Sequence, residues 1–519
     1  MVYLIGAGPG DPGLVSARGL HCLSTADVVL YDHQVHARLL RHARPDAEQI
    51  DVGPAAPRPM EQEAICYLLA EKAHEGNTVA RLKWGDPFVF DRGGEEALFL
   101  HEQGVEFEVV PGVPAAVAVP AYAGIPITYP GGGDTVTFVR GYEDEGYKRA
   151  QVDWASLARL GGTVVCYVGA RQLTSILEAM EAHGFGADSP AALIFNGTLP
   201  SQETIQGTLT EVIEAVRRRT LRDPAILVVG RVAALREHLR WFDARPLFGR
   251  RIVVTRPREQ AIDLIERLEG LGATVIEAPM VHIAPPVDYG PLDDACAEAG
   301  RFDWIVFASA NGVDYFMRRL QAGPGDLREL KGVRLCAVGP GTGERLARHG
   351  IRVDLMPSEC RVDALVAALR GAGSLKGARV LLPRADVPSP DVLAGELRRS
   401  GAEVTEVTAY RMLLADVEPH DGPDIYRMLL DKQVDVVTFT SASTVRAFVQ
   451  LYGREPAADL LNSTVVASVG PVTAEAAGQY TIHSGIVPQE HTIAGLVQAI
   501  LDYFGGDQAA GSGRGSSTT

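Results

Sequence analysis

No apolar run in this 519-residue chain reaches the roughly 18 residues that a membrane-spanning helix needs, so none is expected. Cysteine is scarce. The six residues, Cys22, Cys66, Cys166, Cys296, Cys336 and Cys360, form no CxxC pair. Their scatter argues against a zinc or disulfide framework and suits reduced thiols. A basic excess is missing as well. The formal net charge of −16 argues against a nucleic-acid surface, which needs a basic stripe, yet leaves room for an anionic small molecule held by local arginines. The chain starts directly as a strand, "MVYLIGAG", with no basic leader, so no export signal and a cytoplasmic location are expected.

Glycine (55) and proline (32) are plentiful, as in a chain with many short loops between elements. Its length exceeds one core and calls for several domains. Strand-like runs such as "VYLIGAG", "ADVVLYD", "TVARLK", "TVVCYVG" and "AILVVGRV" alternate with helix-like segments, the pattern of an α/β protein. A Pro-bearing junction at "WFDARPLFGRRIVVTRP" (241–257) separates a first domain, 1–245, from a second, 250–502. The second contains an internal echo. "DWIVFASANGVDYF" (303–316) leads to "RLCAVGPGTGERLARHG" (334–350), and "DVVTFTSASTVRAFV" (435–449) leads to "VVASVGPVTAEAAGQY" (466–480). Two like lobes across a cleft explain that echo. The tail "GGDQAAGSGRGSSTT" (505–519) reads as disordered linker.

The glycine-rich "GAGPGDPG" (6–13) is no dinucleotide fingerprint, because Pro9 and Pro12 remove backbone donors that a pyrophosphate would want. A helix is expected from about Leu14. Taken singly, Asp86 in Gly-Asp-Pro is a turn former and Asp32 at a strand end a helix cap. His33, His36 and His42 cluster in "YDHQVHARLLRH" without a supporting third ligand, so a solvated helix face is expected and no metal site.

Taken together, "GAGPGDPG", "ADVVLYD", "LKWGDPFVFDRGGEE" and "VVPGVPAAVAVPAYAGIPIT" resemble the tetrapyrrole methylase family, most closely uroporphyrinogen-III C-methyltransferase, over residues 1–245. The resemblance implies a two-lobed α/β fold with S-adenosylmethionine as methyl donor, a possible homodimer through this half, and no metal. It implies donor contacts from Pro9, Trp84, Gly85, Asp86, Val89, Pro114, Ala115, Val168 and Gly197. It makes Asp32 the candidate base that takes a proton as a pyrrole carbon is methylated. The chain departs from the family pattern in one region. Pro54-Ala55 stands where the family has Gly-Lys-Arg, Thr128-Tyr129-Pro130 where it has Thr-His-Arg, and Trp84-Gly85-Asp86 where it has Gly-Gly-Asp. Pro114 replaces a threonine and Asp91 a glycine. About four potentially cationic groups are thereby lost from a mouth meant for a polycarboxylate. At about 1.5–3 kcal/mol per charge-assisted hydrogen bond, losing two weakens binding at least a hundredfold, unless Arg38, Arg58 or Arg81 substitutes. Trp84 either fills the donor pocket, floors an altered one, or packs structurally.

"IVVTRPREQA", "FASANGVDYF", "AVGPGTGERL", "FTSASTVRAF" and "ASVGPVTAEAA", with the stretch 381–411, resemble uroporphyrinogen-III synthase over about 250–502. The implied fold is bilobal, lobe one being 250–284 plus 411–502 and lobe two 285–410, joined by a two-stranded linker. The implied reaction cyclises hydroxymethylbilane through loss of water and inversion of its last ring, a task of positioning and shielding. Strand-to-helix breaks suit the carboxylates of such a substrate. The candidates are Ser309, Asn311, Gly339, Thr342, Ser441, Ser443, Thr444, Gly470 and Thr473, with Arg256 and Arg384 for charge. Tyr410 matches the family's tyrosine suspected of assisting loss of the hydroxyl. The expectation for the whole chain is therefore a bifunctional enzyme that makes uroporphyrinogen III and methylates it to precorrin-2, with small-molecule tetrapyrrole partners. The alternative is an active synthase fused to a methylase half that is degenerate or acts on another tetrapyrrole.

Overall fold

The computed structural model describes residues 1–53, 59–141, 152–219, 225–323, 325–359, 361–386, 392–414 and 424–512. The chain divides into two compact units, Met1–Gly249 and Arg250–Thr519. Both are α/β.

In the first unit, β1 (Val2–Gly6), β2 (Val28–Tyr31), β3 (Glu48–Asp51), β4 (Val79–Lys83) and β5 (Phe107–Val110) form a parallel sheet in the order β3-β2-β4-β1-β5. A second, mixed sheet contains β6 (Val136–Gly141), β7 (Thr163–Val168), β8 (Pro190–Phe195), β9 (Glu203–Thr208) and β10 (Ala225–Val229), in the order β6-β7-β10-β8-β9. The strands that apolar patterning marks least, "EQID" and "ETIQGT", are edge strands (β3 and β9) with one ladder exposed. Central β4 is buried along its whole length although its sequence, "VARLK", ends in a cation. The first helix starts at Ala17, three residues later than expected. Pro12–Leu14 form a short 3-10 turn capped by Asp11, and Ser16 accepts the Gly19 N–H as the helix cap.

In the second unit, β11 (Arg251–Val254), β12 (Thr274–Glu277), β18 (Val436–Phe439) and β19 (Val465–Ser468) form one parallel sheet, ordered β12-β11-β18-β19. The other contains β13 (Val281–Ala284), β14 (Trp304–Phe307), β15 (Arg334–Ala337), β16 (Arg379–Asp386) and β17 (Glu403–Leu414), ordered β13-β17-β16-β14-β15. The sequence echo is two equivalent strand pairs, β14–β15 and β18–β19, one in each sheet and each parallel. Two expectations are corrected. Residues 281–284 and 411–414, assigned to lobe one, pair antiparallel with each other and extend the sheet of lobe two, because the crossing segments satisfy each other's backbone groups there. The final helix spans Ile493–Ser512, well into the stretch expected to be disordered. Extending an anchored helix costs far less than starting one. The expectation for 513–519 falls outside the described residues, as do Pro54, Ala55 and Arg58.

Candidate functional sites

In the first unit, loops after β1, β4 and β8 and the turn into the helix Ala115–Tyr122 meet at one place. Gly8 and Gly85 pair in an isolated antiparallel bridge, and the Trp84 indole N–H donates to the Pro9 carbonyl at 3.0 Å. The Trp84 ring and Val89 pack against an apolar cluster that includes Ala115, Val119 and Tyr167. Gly197 is wedged so tightly that a Cβ there would stand 2.3 Å from Val119 Cγ1. Its neighbour Thr198 accepts the Asp11 N–H at 3.0 Å. Pro9, Trp84, Gly85, Val89, Pro114, Ala115 and Gly197 are thus brought together. Val168 differs: its side chain lies in the core on the opposite face of β7, with Leu173 and Leu177. Alternation puts Tyr167 on the loop side instead, where its hydroxyl accepts the Ala116 N–H at 3.0 Å. The sequence reading missed Tyr167, although its strand parity relative to Val168 carries the signal.

Asp86 is not a side chain waiting for a donor. It is buried, and its two oxygens accept the Phe88 N–H (2.8 Å) and the Gly112 N–H (3.0 Å), so it ties two loops together. This close-packed glycine and amide surround suits a nucleoside, which wants backbone partners and an apolar slot. Trp84 lies in this surround, packed on the same apolar cluster, among the residues implied to contact the donor.

Asp32 is no helix cap. It accepts from Arg81 Nη2 at 2.5 Å and from the Trp84 N–H at 3.2 Å. Arg81 and Lys83, from β4, are fully buried and share Glu96 Oε1 at 3.2 and 2.9 Å. Gln62 donates to the same oxygen, and Lys83 also meets Asp91 at 3.1 Å. Burial would raise the Asp32 carboxyl, but Arg81 and Lys83 outweigh it and hold the group below its ordinary value. Asp91 goes the other way. Burial pushes it up to about 6, and Lys83 compensates only in part. Arg81 is therefore committed inside the protein and cannot replace a lost surface cation at the substrate mouth. Tyr129 is half exposed.

In the second unit the candidates lie where strands end and helices begin. Ser309 follows β14, caps the helix Ala310–Ala322 by accepting the Gly312 N–H, and meets the Tyr410 hydroxyl at 3.0 Å. Ser441 does the same after β18, accepting the Thr444 N–H; Ser443 meets the Ser441 hydroxyl at 2.8 Å. Gly339 and Gly470 are the N-cap positions of Pro340–Arg348 and Pro471–Gly478. Thr342, Thr444 and Thr473 are buried one turn into their helices. Tyr410 is buried on β17 and stacks on Tyr315; burial pushes its hydroxyl up despite the Ser309 and Asn311 hydrogen bonds. Asn311 accepts a hydrogen bond from Gln260 of the other lobe. The two candidate arginines diverge. Arg384 is paired with Glu406 at 2.6 Å, whereas Arg256 reaches, among the described residues, only Gln260 Oε1, at 3.3 Å.

Comparison with known proteins gives the same division. Residues 1–213 match the tetrapyrrole (corrin/porphyrin) methylases, and residues 262–498 match uroporphyrinogen-III synthase HemD. The chain is 35% identical over 509 residues to the porphyrin biosynthesis protein HemD of Ruminiclostridium josui, spanning 98% of both. It is 36% identical over 355 residues to a uroporphyrinogen-III C-methyltransferase of Bacillus subtilis, spanning 68% of this chain and 72% of that one. Over 239 residues it is 43% identical to an S-adenosyl-L-methionine-dependent uroporphyrinogen III methyltransferase of Methanosarcina barkeri, spanning 46% of this chain and 94% of the other.

Proposed function

Since the chain belongs to the family that joins a tetrapyrrole methylase domain to a uroporphyrinogen-III synthase domain, we propose that it cyclises hydroxymethylbilane to uroporphyrinogen III and methylates that product to precorrin-2. The carrying observation is that one relative matches end to end, across both domains. The M. barkeri relative's dependence on S-adenosylmethionine supports that donor here. Bound between the loops, it would supply the methyl group. Pro9, Gly85, Ala115 and Gly197 would cradle it, while Asp32, held ionised by Arg81, would accept the displaced proton. In the second unit, the helix starts at Ser309, Gly339, Ser441 and Gly470 would receive side-chain carboxylates, and Tyr410 would assist departure of the hydroxyl. Joining the two activities shortens the exposure of an easily oxidised intermediate.

A second reading keeps the synthase and changes the first unit, so that it binds the donor poorly or serves another tetrapyrrole. The Trp84 indole among the donor loops favours it. Purified protein given hydroxymethylbilane and methyl-labelled S-adenosylmethionine distinguishes the two. Labelled precorrin-2 supports the first reading, and unlabelled uroporphyrinogen III alone supports the second.

A further inference from the structure

Arg256 follows β11 at the carboxyl edge of the first-lobe sheet and is half-buried. Among the described residues it has no carboxylate partner. Its Nε–H donates only to Gln260 Oε1, and Gln260 passes its own hydrogen bond across the cleft to Asn311. One turn along the same helix, Asp314 receives Arg345 at 3.5 Å and His349 at 3.5 Å. Arg256, through Gln260 and Asn311, and Arg345, through Asp314, are thus both tied to neighbouring positions of the one helix Ala310–Ala322. Burial first, and the positive charge of Arg345 second, disfavour the Arg256 guanidinium, and the more weakly felt negative charge of Asp263 offsets them only in part. Several partly screened arginines of this unit are balanced by carboxylates, Arg319 by Asp293, Arg384 by Glu406 and Arg250 by Asp435, while Arg334 and Arg411 donate to the Ala372 and Pro285 carbonyls. Two mutually repelling cations, one with no ion pair among the described residues and the other holding Asp314 only at 3.5 Å, are stabilised when a ligand brings an anion. The starts of Arg258–Gly270, Ala310–Ala322 and Pro340–Arg348 lie on these same segments and favour the same sign of charge.

We propose that Arg256 and Arg345 together grip one side-chain carboxylate of the linear tetrapyrrole, Arg345 being a substrate-binding residue that the sequence motifs do not mark. The proposal rests on the synthase reading of this unit. It assigns the formal charge in the cleft to Arg256 and Arg345 and leaves Arg384 with Glu406.

The test uses the full chain and the variants Arg345→Gln, Arg345→Lys, Arg256→Gln and Asp314→Asn. Two quantities are measured: KM and kcat for hydroxymethylbilane conversion, and the Kd of uroporphyrin III by fluorescence quenching. Arg345→Gln should raise KM and Kd about tenfold, the loss of one charge-assisted hydrogen bond, with kcat little changed. Arg345→Lys should recover part of the loss. The double variant Arg256→Gln/Arg345→Gln should fall short of the product of the single effects, because both groups hold one carboxylate. Asp314→Asn removes the ion pair but not the grip, so Kd should stay or tighten. Unchanged Kd in Arg345→Gln, or an equal loss in Asp314→Asn, would overturn the proposal by making Arg345 merely structural. A chain that binds uroporphyrin but cyclises nothing would refute the synthase reading while the grip is still read from Kd.

Discussion

Arg81 and Arg256 are both arginines drawn into an α/β unit at a parallel strand, and the two units treat them in opposite ways. Arg81 is fully buried and surrounded by Asp32 and Glu96, with Lys83 and Asp91 completing a closed charge network. Arg256 is half-buried, donates to one amide, and feels the positive charge of Arg345 more than the negative charge of Asp263. A closed network positions a carboxylate and resists change, because removing one member strands a charge in a low dielectric. An open one stores affinity for something that arrives later. Unit one has therefore used its inner cations on itself, and unit two has kept one in reserve.

Four experiments break or sharpen this contrast. The largest effect is expected at Asp32. Asp32→Asn should lower methyl transfer by about 10²–10⁴-fold, the range of a lost general base, and leave uroporphyrinogen III production unchanged. A fall in both activities would dissolve the separation of the units. Next, Glu96→Ala leaves Arg81 and Lys83 short of their shared partner and should destabilise unit one by about 3–5 kcal/mol. Calorimetry should show one transition moving and the other standing still.

Asp91 tests whether the closed network is over-supplied with carboxylates, three against two cations. Its folded pKa of about 6 lies above the unfolded value of about 3.9. Its contribution is thus full below pH 4 and is lost as pH rises through 6. Asp91→Asn should stabilise unit one by about 3 kcal/mol at pH 8 and by almost nothing at pH 4, read from urea midpoints at the two pH values. An equal gain at both would assign the effect to packing. The smallest change is Trp84→Gly. Removing the indole from the donor loops should tighten S-adenosylhomocysteine binding about tenfold by calorimetry, or 1.4 kcal/mol. Weaker binding would make the ring a platform for the donor.

The fold was legible where apolar strands lie in sheet interiors, as in "VYLIGAG" and "AILVVGRV". It was least legible at β3 and β9, whose exposed edges allow polar sequence. The convergence of Pro9, Trp84 and Ala115 followed from motif order. Asp86 in Gly-Asp-Pro does form a turn, one oxygen accepting the Phe88 N–H two residues on, and its other oxygen also ties in the loop at Gly112. The local pattern announces the first partner and not the second, which lies 26 residues away.

By itself the sequence determined the α/β class, the junction near 250 and the paired strand–helix units, since periodicity and turn residues act over a few neighbours. Tertiary structure alone decided which charges are already neutralised. Arg81, Arg256 and Arg384 look alike in the chain, and only the carboxylates that folding brings from distant segments separate a committed arginine from one still open to substrate.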